Sequence, residues 1–395
     1  MRVAIVAESY LPYVSGVTVS TETLARGIGA RGHEVLLVAP RPARGESPAT
    51  QGATGPEPRY AWLPSYQLPV RAPRGYRMPL PLPGRAVERA VRFRPQIVHV
   101  QAPFVAGWLG HRIARRSRAR LVFTHHTRFS QYRHYLGPAG RPADLLVRRY
   151  LRRFWAACDA VVAPAADLAQ EIEAGLPRDS RTLVRVIPTG IDVAAIRATP
   201  PLDPRPGAGW PAETVVATIL GRLAQEKSVD VVIDAVALAA RSVPSLRLSI
   251  VGDGPARREL EERARALLGE RAWFAGARPR PEALALVRGA DLFCFASRTE
   301  TQGLVLAEAL ACGLPTVALE GPGVRDSVRD AIDGIVVERG ADPAASLARA
   351  TALLAGDVSR RRALAAEAAA GAARFDVAAR LAEVEALYRE LVVAG

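Results

Sequence analysis

Residues 291–315 read DLFCFASRTETQGLVLAEALACGLP, and this stretch decides how the rest of the chain is interpreted. The apolar run at 291–295 is typical of a buried parallel strand. A polar turn follows, and a helix is predicted from Gln302 to Ala311 because a glycine and a proline close the pattern. A strand, a turn and a helix in this order are one repeat of an open α/β sheet.

The turn and the helix start have the chemistry of an anion site. The backbone N–H groups of Gln302, Gly303 and Leu304 are predicted to lack partners within the helix and to point out of the carboxyl end of the sheet. A helix N-terminus favours anions, so a phosphate is expected there. Glu300 and Glu308 are placed to meet hydroxyl groups of the same ligand.

Strands and helices alternate through both halves of the chain, with a Pro/Gly-rich break at 199–211. This alternation predicts an α/β protein of two doubly wound domains facing across a cleft. Residues 41–85 are rich in Pro, Gly and Arg and are predicted to be a loop.

Composition describes a globular chain with a basic surface. Its 395 residues are 49% apolar, its net charge is +14, and no run approaches the roughly 20 apolar residues of a spanning helix. The N-terminal apolar run is too short for a secretory signal. Cys158, Cys294 and Cys312 have no metal spacing, so reduced thiols in a cytoplasmic protein are expected. The charge fits nucleic acid, anionic lipid or a phosphorylated substrate, unless it reflects an Arg-rich genome.

Much of the basic charge lies in residues 101–160, which hold twelve Arg against Asp144 and Asp159. On a helical wheel, the apolar residues of segment 146–155 share one half and its arginines share the other. Such a helix either packs on the sheet with its arginines in solvent, or lies at an anionic membrane surface.

A diphosphate ligand is predicted in the second half. Loops 221–227 and 252–254 are suited to anions, and Lys227 is the only lysine in the chain. Together with Arg222 it could neutralise a diphosphate. In the first half, the strand–helix loop lacks G-x-G-x-x-G, so NAD binding is poorly supported.

Two histidines end a first-half strand. His125 and His126 alternate sides, so one of them is expected to face a ligand, and His126 is favoured. The alternative for His126 is a hydrogen-bonded structural imidazole. Gly16 allows the backbone of its loop to approach a ligand closely.

Three motifs of the second half occur in a fixed order. They are GRLAQEK at 221–227, VGDG at 251–254, and the E-x7-E pair followed by ALACGLP at 309–315. Together they resemble the retaining nucleotide-sugar glycosyltransferases of glycosyltransferase family 4, over nearly the whole chain. The resemblance implies a GT-B fold of two Rossmann-like domains, with no metal and no covalent cofactor.

The resemblance also implies domain bounds. The C-terminal helix returns to the first domain, so we assign 1–178 with 376–395 to an acceptor-binding domain. Residues 179–375 are assigned to a nucleotide-sugar-binding domain.

Carried over by position, the resemblance assigns Arg222 and Lys227 to the donor diphosphate and Glu308 to the ribose hydroxyls. Glu300 would contact the sugar from the second domain, and His126 would contact it from the first. The expected catalytic residues are His126, Arg222, Lys227 and Glu300. The donor-binding residues implied are Gly16, Gly221, Arg222, Lys227, Gly252, Gly254, Glu300, Gln302, Gly303, Leu304 and Glu308.

Two positions depart from the common family pattern. Ser15 stands where a glycine pair is frequent, and Thr301-Gln302 replace Gly-Phe in the segment after Glu300. The second form is similar to that of the diacylglycerol glucosyltransferase branch. We assign Glu8, Tyr132 and His134 to the acceptor side.

The expected function is transfer of a hexose, from UDP-glucose, to a membrane lipid such as diacylglycerol by a cytoplasmic protein peripheral at the inner face of the membrane. The same chemistry on phosphatidylinositol with GDP-mannose, or on a soluble sugar, is the alternative. A basic nucleic-acid-binding protein is a remote alternative, since the chain has no zinc spacing or recognition helix. A non-catalytic nucleotide-sugar sensor is disfavoured by the intact motif residues.

Overall fold

The computed structural model describes residues 1–13, 15–46, 55–67, 75–82, 84–128 and 140–394. The chain forms two compact units, Met1–Gly190 with Ala378–Gly395, and Ile191–Val377. Each unit contains a parallel sheet with helices on both faces, so the predicted doubly wound α/β class is confirmed.

The strands of the first unit are β1 (Arg2–Val6), β2 (Glu34–Pro40), β3 (Arg59–Leu63), β4 (Ser65–Tyr66), β5 (Met78–Pro79), β6 (Ile97–Val100), β7 (Arg120–Thr124), β8 (Ala160–Ala163) and β9 (Leu183–Val186). Those of the second are β10 (Val215–Leu220), β11 (Leu246–Val251), β12 (Ala272–Gly276), β13 (Leu292–Phe295), β14 (Thr316–Leu319) and β15 (Gly334–Val337). The sheet orders are β3-β2-β1-β6-β7-β8-β9 and β12-β11-β10-β13-β14-β15, and β4 pairs with β5 in a small antiparallel ribbon.

The helices before the second sheet are α1 (Gly16–Ala30), α2 (Arg85–Arg92), α3 (Val105–Ser117), α4 (Gly140–Ala156), α5 (Ala166–Gly175), α6 (Val193–Ala198) and α7 (Pro204–Ala208). The remaining helices are α8 (Val229–Ala239), α9 (Arg257–Leu268), α10 (Arg280–Arg288), α11 (Leu304–Ala311), α12 (Val324–Ser327), α13 (Pro343–Gly356), α14 (Val358–Gly371) and α15 (Val377–Val393).

Helix α15 packs on the first sheet, as predicted. Its apolar residues Val384, Leu387 and Leu391 join a buried cluster with side chains of β1, β2 and α1. Tyr388 is fully buried in the same cluster, and its hydroxyl lies 2.6 Å from Nδ1 of His99 on β6. The C-terminal helix therefore completes the core of the first unit.

Helix α4 settles one of the alternatives left open by the sequence. Leu151, Phe154 and Trp155 are buried in the first core, and the described arginines at 148, 149, 152 and 153 are exposed. The packing interpretation is confirmed for this half of the helix. Leu145 and Leu146, nearer its start, are 70% and 68% exposed.

Three sequence predictions need correction or adjustment. Within the predicted loop 41–85, Arg59–Leu63 forms β3 and pairs in parallel with β2; dense Pro and Gly on both sides hid this short edge strand. Pro204–Ala208 in the Pro/Gly-rich break forms α7, capped by Asp203. The first unit extends to Gly190, beyond the predicted bound at 178, because β9 pairs with β8.

None of the helices in the described ranges is both long and apolar enough to cross a membrane.

Candidate functional site

The second unit has its topological switch point beside β10. The chain passes from β10 to β11 on one side, and β13 flanks β10 on the other, so the loops that follow β10 and β13 leave the sheet side by side. Ligands of open α/β sheets bind at such a point, beyond the carboxyl ends of the strands. The predicted donor residues of this unit lie in these two loops, in the loop after β11, or on α11.

Glycines let the loops after β10 and β11 pack against each other. Gly252 has φ +141°, and a Cβ at this position would overlap the carbonyl oxygen of Gly221. A Cβ on Gly254 would overlap the carbonyl oxygen of Leu223. Leu223 N–H in turn donates to the carbonyl of Asp253 at 2.9 Å. These glycines are therefore required for backbone packing, whatever they contact on a donor.

The structure brings Lys227 and Glu300 together. Lys227 ends a short 3-10 segment after β10, Glu300 follows β13, and the ammonium forms an ion pair with Oε1 of the carboxylate. Their side chains are 29% and 16% exposed. The loops are also joined by the Arg298 N–H, which donates to the carbonyl of Glu226 at 3.0 Å. Lys227 and Glu300, which the sequence analysis assigned to the diphosphate and the sugar, are therefore in direct contact beside the switch point.

Arg222 lies in the same loop and is more than half exposed. Its guanidinium pairs with the carboxylate of Glu226, whose side chain is almost completely buried. The buried carboxylate orients Arg222 but leaves most of the guanidinium in solvent. Arg222 is therefore available to an anionic ligand at modest desolvation cost.

Glu308 lies on α11 with its side chain buried, and it pairs with Arg280. Arg280 is the first residue of α10, after the carboxyl end of β12, and is partly exposed. Sequence reasoning missed this arginine. The signal available was a basic residue just after a strand end, which is weak in a chain with this many arginines.

Helix α11 begins later than predicted. Gly303 is its N-cap with φ +74°, so the helix starts at Leu304, and a right-handed helix cannot include the left-handed residue before it. The Gln302 N–H therefore lies outside the helix, whereas those of Gly303, the N-cap, and Leu304 belong to the helix start as predicted. Gln302 is buried, and its carbonyl accepts a hydrogen bond from Ser327 Oγ at 3.0 Å.

Arg339 is a second residue that sequence reasoning missed. Its guanidinium donates to the carbonyls of Ala296 and Ser297 at 2.7 and 2.8 Å. Burial lowers the pKa of the group. Arg339 therefore fixes the loop after β13 from the neighbouring side of the sheet.

The first unit has an equivalent switch point between β1 and β6. Glu8 follows β1, Gln101 follows β6 and His126 follows β7, so the three residues lie at one edge of the sheet. His126 Nε2 lies 2.8 Å from Oε1 of Gln101. Burial lowers the pKa of His126 to about 3, so the imidazole is neutral at pH 7 and Nε2–H is the donor in this bond.

The neighbouring His125 is fully buried. Its ring lies against Phe123 and Trp155, and its Nε2 is 2.9 Å from the carbonyl of Thr127. Of the two histidines, His126 is the more exposed. Its assignment to a donor sugar stays a prediction.

Glu8 caps helix α3. Its Oε2 accepts a hydrogen bond from the Ala106 N–H at 2.7 Å, and burial raises the pKa of the carboxyl group. Its Oε1 is buried, and in the described part of the chain no partner is recorded for that oxygen. Tyr132 and His134, the other residues assigned to the acceptor side, lie outside the described residues.

Ser15 has a structural role that explains its departure from the family pattern. It is the N-cap of α1, and a capping box joins it to Thr18, with Ser15 N–H donating to Thr18 Oγ1 at 2.7 Å. Gly16 is the first residue of the helix. Across the ranges that the structure describes, no group of three His, Cys, Asp or Glu side chains is arranged to hold a metal.

Comparisons with known proteins agree with this architecture. The family model Glycosyltransferase Family 4 matches residues 14–195, and Glycosyl transferases group 1 matches residues 205–370. The chain is 28% identical to the alpha-monoglucosyldiacylglycerol synthase of Acholeplasma laidlawii over 85% of this chain and 84% of that protein. It is 31% identical to the GDP-mannose-dependent alpha-mannosyltransferase of Mycobacterium tuberculosis, over 86% and 84%.

Among solved structures, the Anabaena protein HepE in complex with UDP and glucose has a TM-score of 0.73 at 18% identity, with 99% of this chain and 100% of that chain covered. This likeness concerns the fold. With the two parallel-sheet units, it confirms the predicted GT-B class.

Proposed function

Because the chain belongs to glycosyltransferase family 4 and is a nucleotide-sugar-dependent hexosyltransferase, we propose that it is a retaining enzyme acting on a membrane lipid. The proposed donor is UDP-glucose and the proposed acceptor is diacylglycerol. The observation that carries the proposal is the Lys227–Glu300 pair at the switch point of the second unit.

The proposed donor site uses charge. Cleavage of the sugar–phosphate bond produces an oxocarbenium-like sugar and a diphosphate. Lys227 and the exposed guanidinium of Arg222 would stabilise the negative charge that develops on the diphosphate, in the manner of preorganised electrostatic catalysis. Glu300 holds the Lys227 ammonium in place and would meet a sugar hydroxyl. The leaving phosphate would assist deprotonation of the acceptor on the same face of the sugar.

The nucleoside would lie beside Glu308. Its carboxylate is held by Arg280 through one oxygen, and the other oxygen would accept from the ribose hydroxyls. Neither a metal nor a covalent cofactor is part of the proposed reaction, since Arg222 and Lys227 supply the positive charge.

The lipid acceptor is supported by two observations. The Acholeplasma laidlawii relative is an alpha-monoglucosyldiacylglycerol synthase, a name that describes a product in which glucose is attached to diacylglycerol. The region 101–160 of the first unit carries a large surplus of arginine, which suits an anionic lipid surface. We therefore propose a cytoplasmic protein that associates peripherally with the inner face of the membrane. No role for nucleic acid is proposed.

A second candidate is mannosyl transfer from GDP-mannose to phosphatidylinositol. It is favoured by the 31% identity to the GDP-mannose-dependent mannosyltransferase. A soluble sugar acceptor is the third candidate.

One experiment separates the three candidates. Release of UDP or GDP is measured with each nucleotide sugar in the presence of diacylglycerol liposomes, phosphatidylinositol liposomes or soluble sugars. Lys227→Ala is the inactive control. UDP release that requires UDP-glucose and diacylglycerol supports the proposal. Turnover with GDP-mannose and phosphatidylinositol, or with a soluble acceptor alone, would overturn it in favour of the matching alternative.

A further inference from the structure

The first unit contains an apolar groove of about 740 Å³ between α3 and α4. Aliphatic and aromatic side chains form its walls, among them Trp108 on α3 and Leu146 and Tyr150 on α4. Among the described residues, Arg112 is the one charged residue of the lining. A groove of this size lies within the range of small-molecule sites, and such a patch on a surface marks a contact with lipid or protein.

The floor of the groove is held rigidly by hydrogen bonds. Trp108 Nε1–H donates to the Tyr150 hydroxyl at 2.8 Å, and that hydroxyl donates to the carbonyl of Pro103 at 2.6 Å. The ring of Tyr150 stacks on Phe104 with centroids 5.8 Å apart. Because these bonds use the polar atoms of both aromatic residues, the groove presents apolar ring faces and methyl groups. That surface suits a hydrocarbon, which requires no polar partner.

The two helices that form the groove carry exposed positive charge, and Arg112 belongs to the groove lining itself. Arg112, Arg115, Arg149, Arg152 and Arg153 are exposed on α3 and α4, and in the described ranges they have no recorded ion pair. Two further arginines of these helices pair with Glu88 and Asp144. An apolar groove that includes Arg112, on helices that carry further exposed arginines, is complementary to lipid, with hydrocarbon inside and anionic headgroups outside.

The position of the groove relates it to the acceptor side. Val105 lines the groove at the start of α3, and the next residue, Ala106, donates its N–H to Glu8. The groove therefore begins beside the carboxylate at the switch point of the first sheet.

We infer that this groove holds one acyl chain of a glycerolipid, with the headgroups of neighbouring anionic lipids against Arg112 and the other exposed arginines of α3 and α4. The inference rests on the proposed lipid-directed function and adds the place where the lipid is held. A chain in the groove would leave its glycerol end near Glu8, where the acceptor is expected.

Trp108 is a built-in probe of groove occupancy. Vesicles of phosphatidylglycerol mixed with phosphatidylcholine that carries brominated acyl chains should quench Trp108 fluorescence, because bromine quenches at short range. The quenched component should disappear in Trp108→Phe, which keeps an aromatic ring in the wall. Equal quenching in wild type and Trp108→Phe would overturn the inference.

Two adjacent leucines provide a matched pair of variants. Leu145 and Leu146 are exposed to nearly the same extent, but only Leu146 lines the groove. Leu146→Arg should reduce Trp108 quenching and raise the KM for diacylglycerol by about tenfold, since burial of an apolar side chain contributes at least that factor. Leu145→Arg adds the same charge and should leave both values unchanged. Equal effects of the two variants would contradict an acyl site.

The failures of the two proposals are distinguishable. Quenching of Trp108 without transfer to any lipid would overturn the lipid-directed function and keep the acyl site. Transfer to diacylglycerol with vesicle binding but no Trp108 quenching would overturn the acyl site. The groove would then be interpreted as a contact surface for another protein.

Discussion

The ammonium of Lys227 forms an ion pair with the carboxylate of Glu300, although 73 positions separate them in the chain. The pair joins the loop after β10 to the loop after β13 at the switch point of the second sheet. Both side chains are largely buried, so loss of either partner would leave the other charge poorly solvated. We expect the Lys227 ammonium, held in place by Glu300, to contact the diphosphate of the donor.

Lys227→Ala should therefore lower the rate of transfer by about 100- to 1,000-fold, the usual effect of losing a charge that stabilises the transition state. The free energy of unfolding should fall by about 1–3 kcal/mol, because the largely buried Glu300 carboxylate loses its partner. Nucleotide release and urea denaturation measure the two effects. Arg263→Ala, which removes another ion-paired cation from the same unit, is the control and should retain activity. Wild-type rates in Lys227→Ala would refute the diphosphate role.

The Arg280–Glu308 pair makes a prediction about the nucleoside. Glu308→Gln keeps the size of the side chain but removes its charge, and should weaken UDP or GDP binding by about tenfold through loss of a charge-assisted hydrogen bond. Isothermal titration calorimetry measures this change. If Arg280 acts by orienting Glu308, then Arg280→Gln should add little in the background of Glu308→Gln. Additive losses in the double variant would contradict this coupling.

Much of the fold could be predicted because strand and helix periods are local properties. The predicted alternation of strands and helices in both halves, and the predicted strand at 291–295, agree with the structure. Strand β3 was missed because its five residues lie between Pro- and Gly-rich segments, and its identity as a strand depends on pairing with β2. Edge strands of this kind gain their stability from a neighbour that the local sequence does not reveal.

The candidate site could be predicted only where a motif carried it. Lys227, Glu300 and Glu308 lie in motifs, whereas Arg280 and Arg339 are recognisable only from the groups they contact. The start of α11 was misplaced because the left-handed conformation of Gly303 is set by the surrounding loops. From the sequence alone, a glycine at this point is compatible with a position inside the helix or with the N-cap.

The glycine turns predict a graded loss of stability. Gly221→Ala places a side chain at φ +151° with open space around it, and should cost about 1–3 kcal/mol through backbone strain alone. Gly252→Ala combines similar strain with an overlap of the Gly221 carbonyl and should cost more. Gly207→Ala in α7, at a φ that other residues adopt readily, is the control and should change stability by less than about 1 kcal/mol. Thermal denaturation gives the order, and equal losses at 221 and 252 would contradict it.

His99 predicts an acid-sensitive first unit. Its ring is buried between the hydroxyls of Tyr388 and Thr124, and burial lowers its pKa to about 3. Below about pH 6.5 the unfolded chain binds a proton that the folded chain does not. The free energy of unfolding therefore decreases as the pH is lowered, by up to about 1.4 kcal/mol per pH unit. His99→Gln should show a shallower fall between about pH 7 and pH 5, measured by urea denaturation. An unchanged slope would show that His99 does not set this dependence.

Glu8 predicts opposite effects on stability and on acceptor turnover. Burial raises the pKa of its carboxyl group, so between the ordinary value and the raised one the folded chain binds more protons than the unfolded chain. The charged form therefore costs stability at pH 7, and this cost disappears as the pH falls through the raised pKa. Glu8→Gln can still accept the Ala106 N–H, and should be more stable than wild type at pH 7 while its acceptor-dependent rate falls and donor affinity is unchanged. Glu34→Gln on the exposed start of β2 is the control. If Glu8→Gln retained full transfer at pH 7, the carboxylate would act only as a cap for α3.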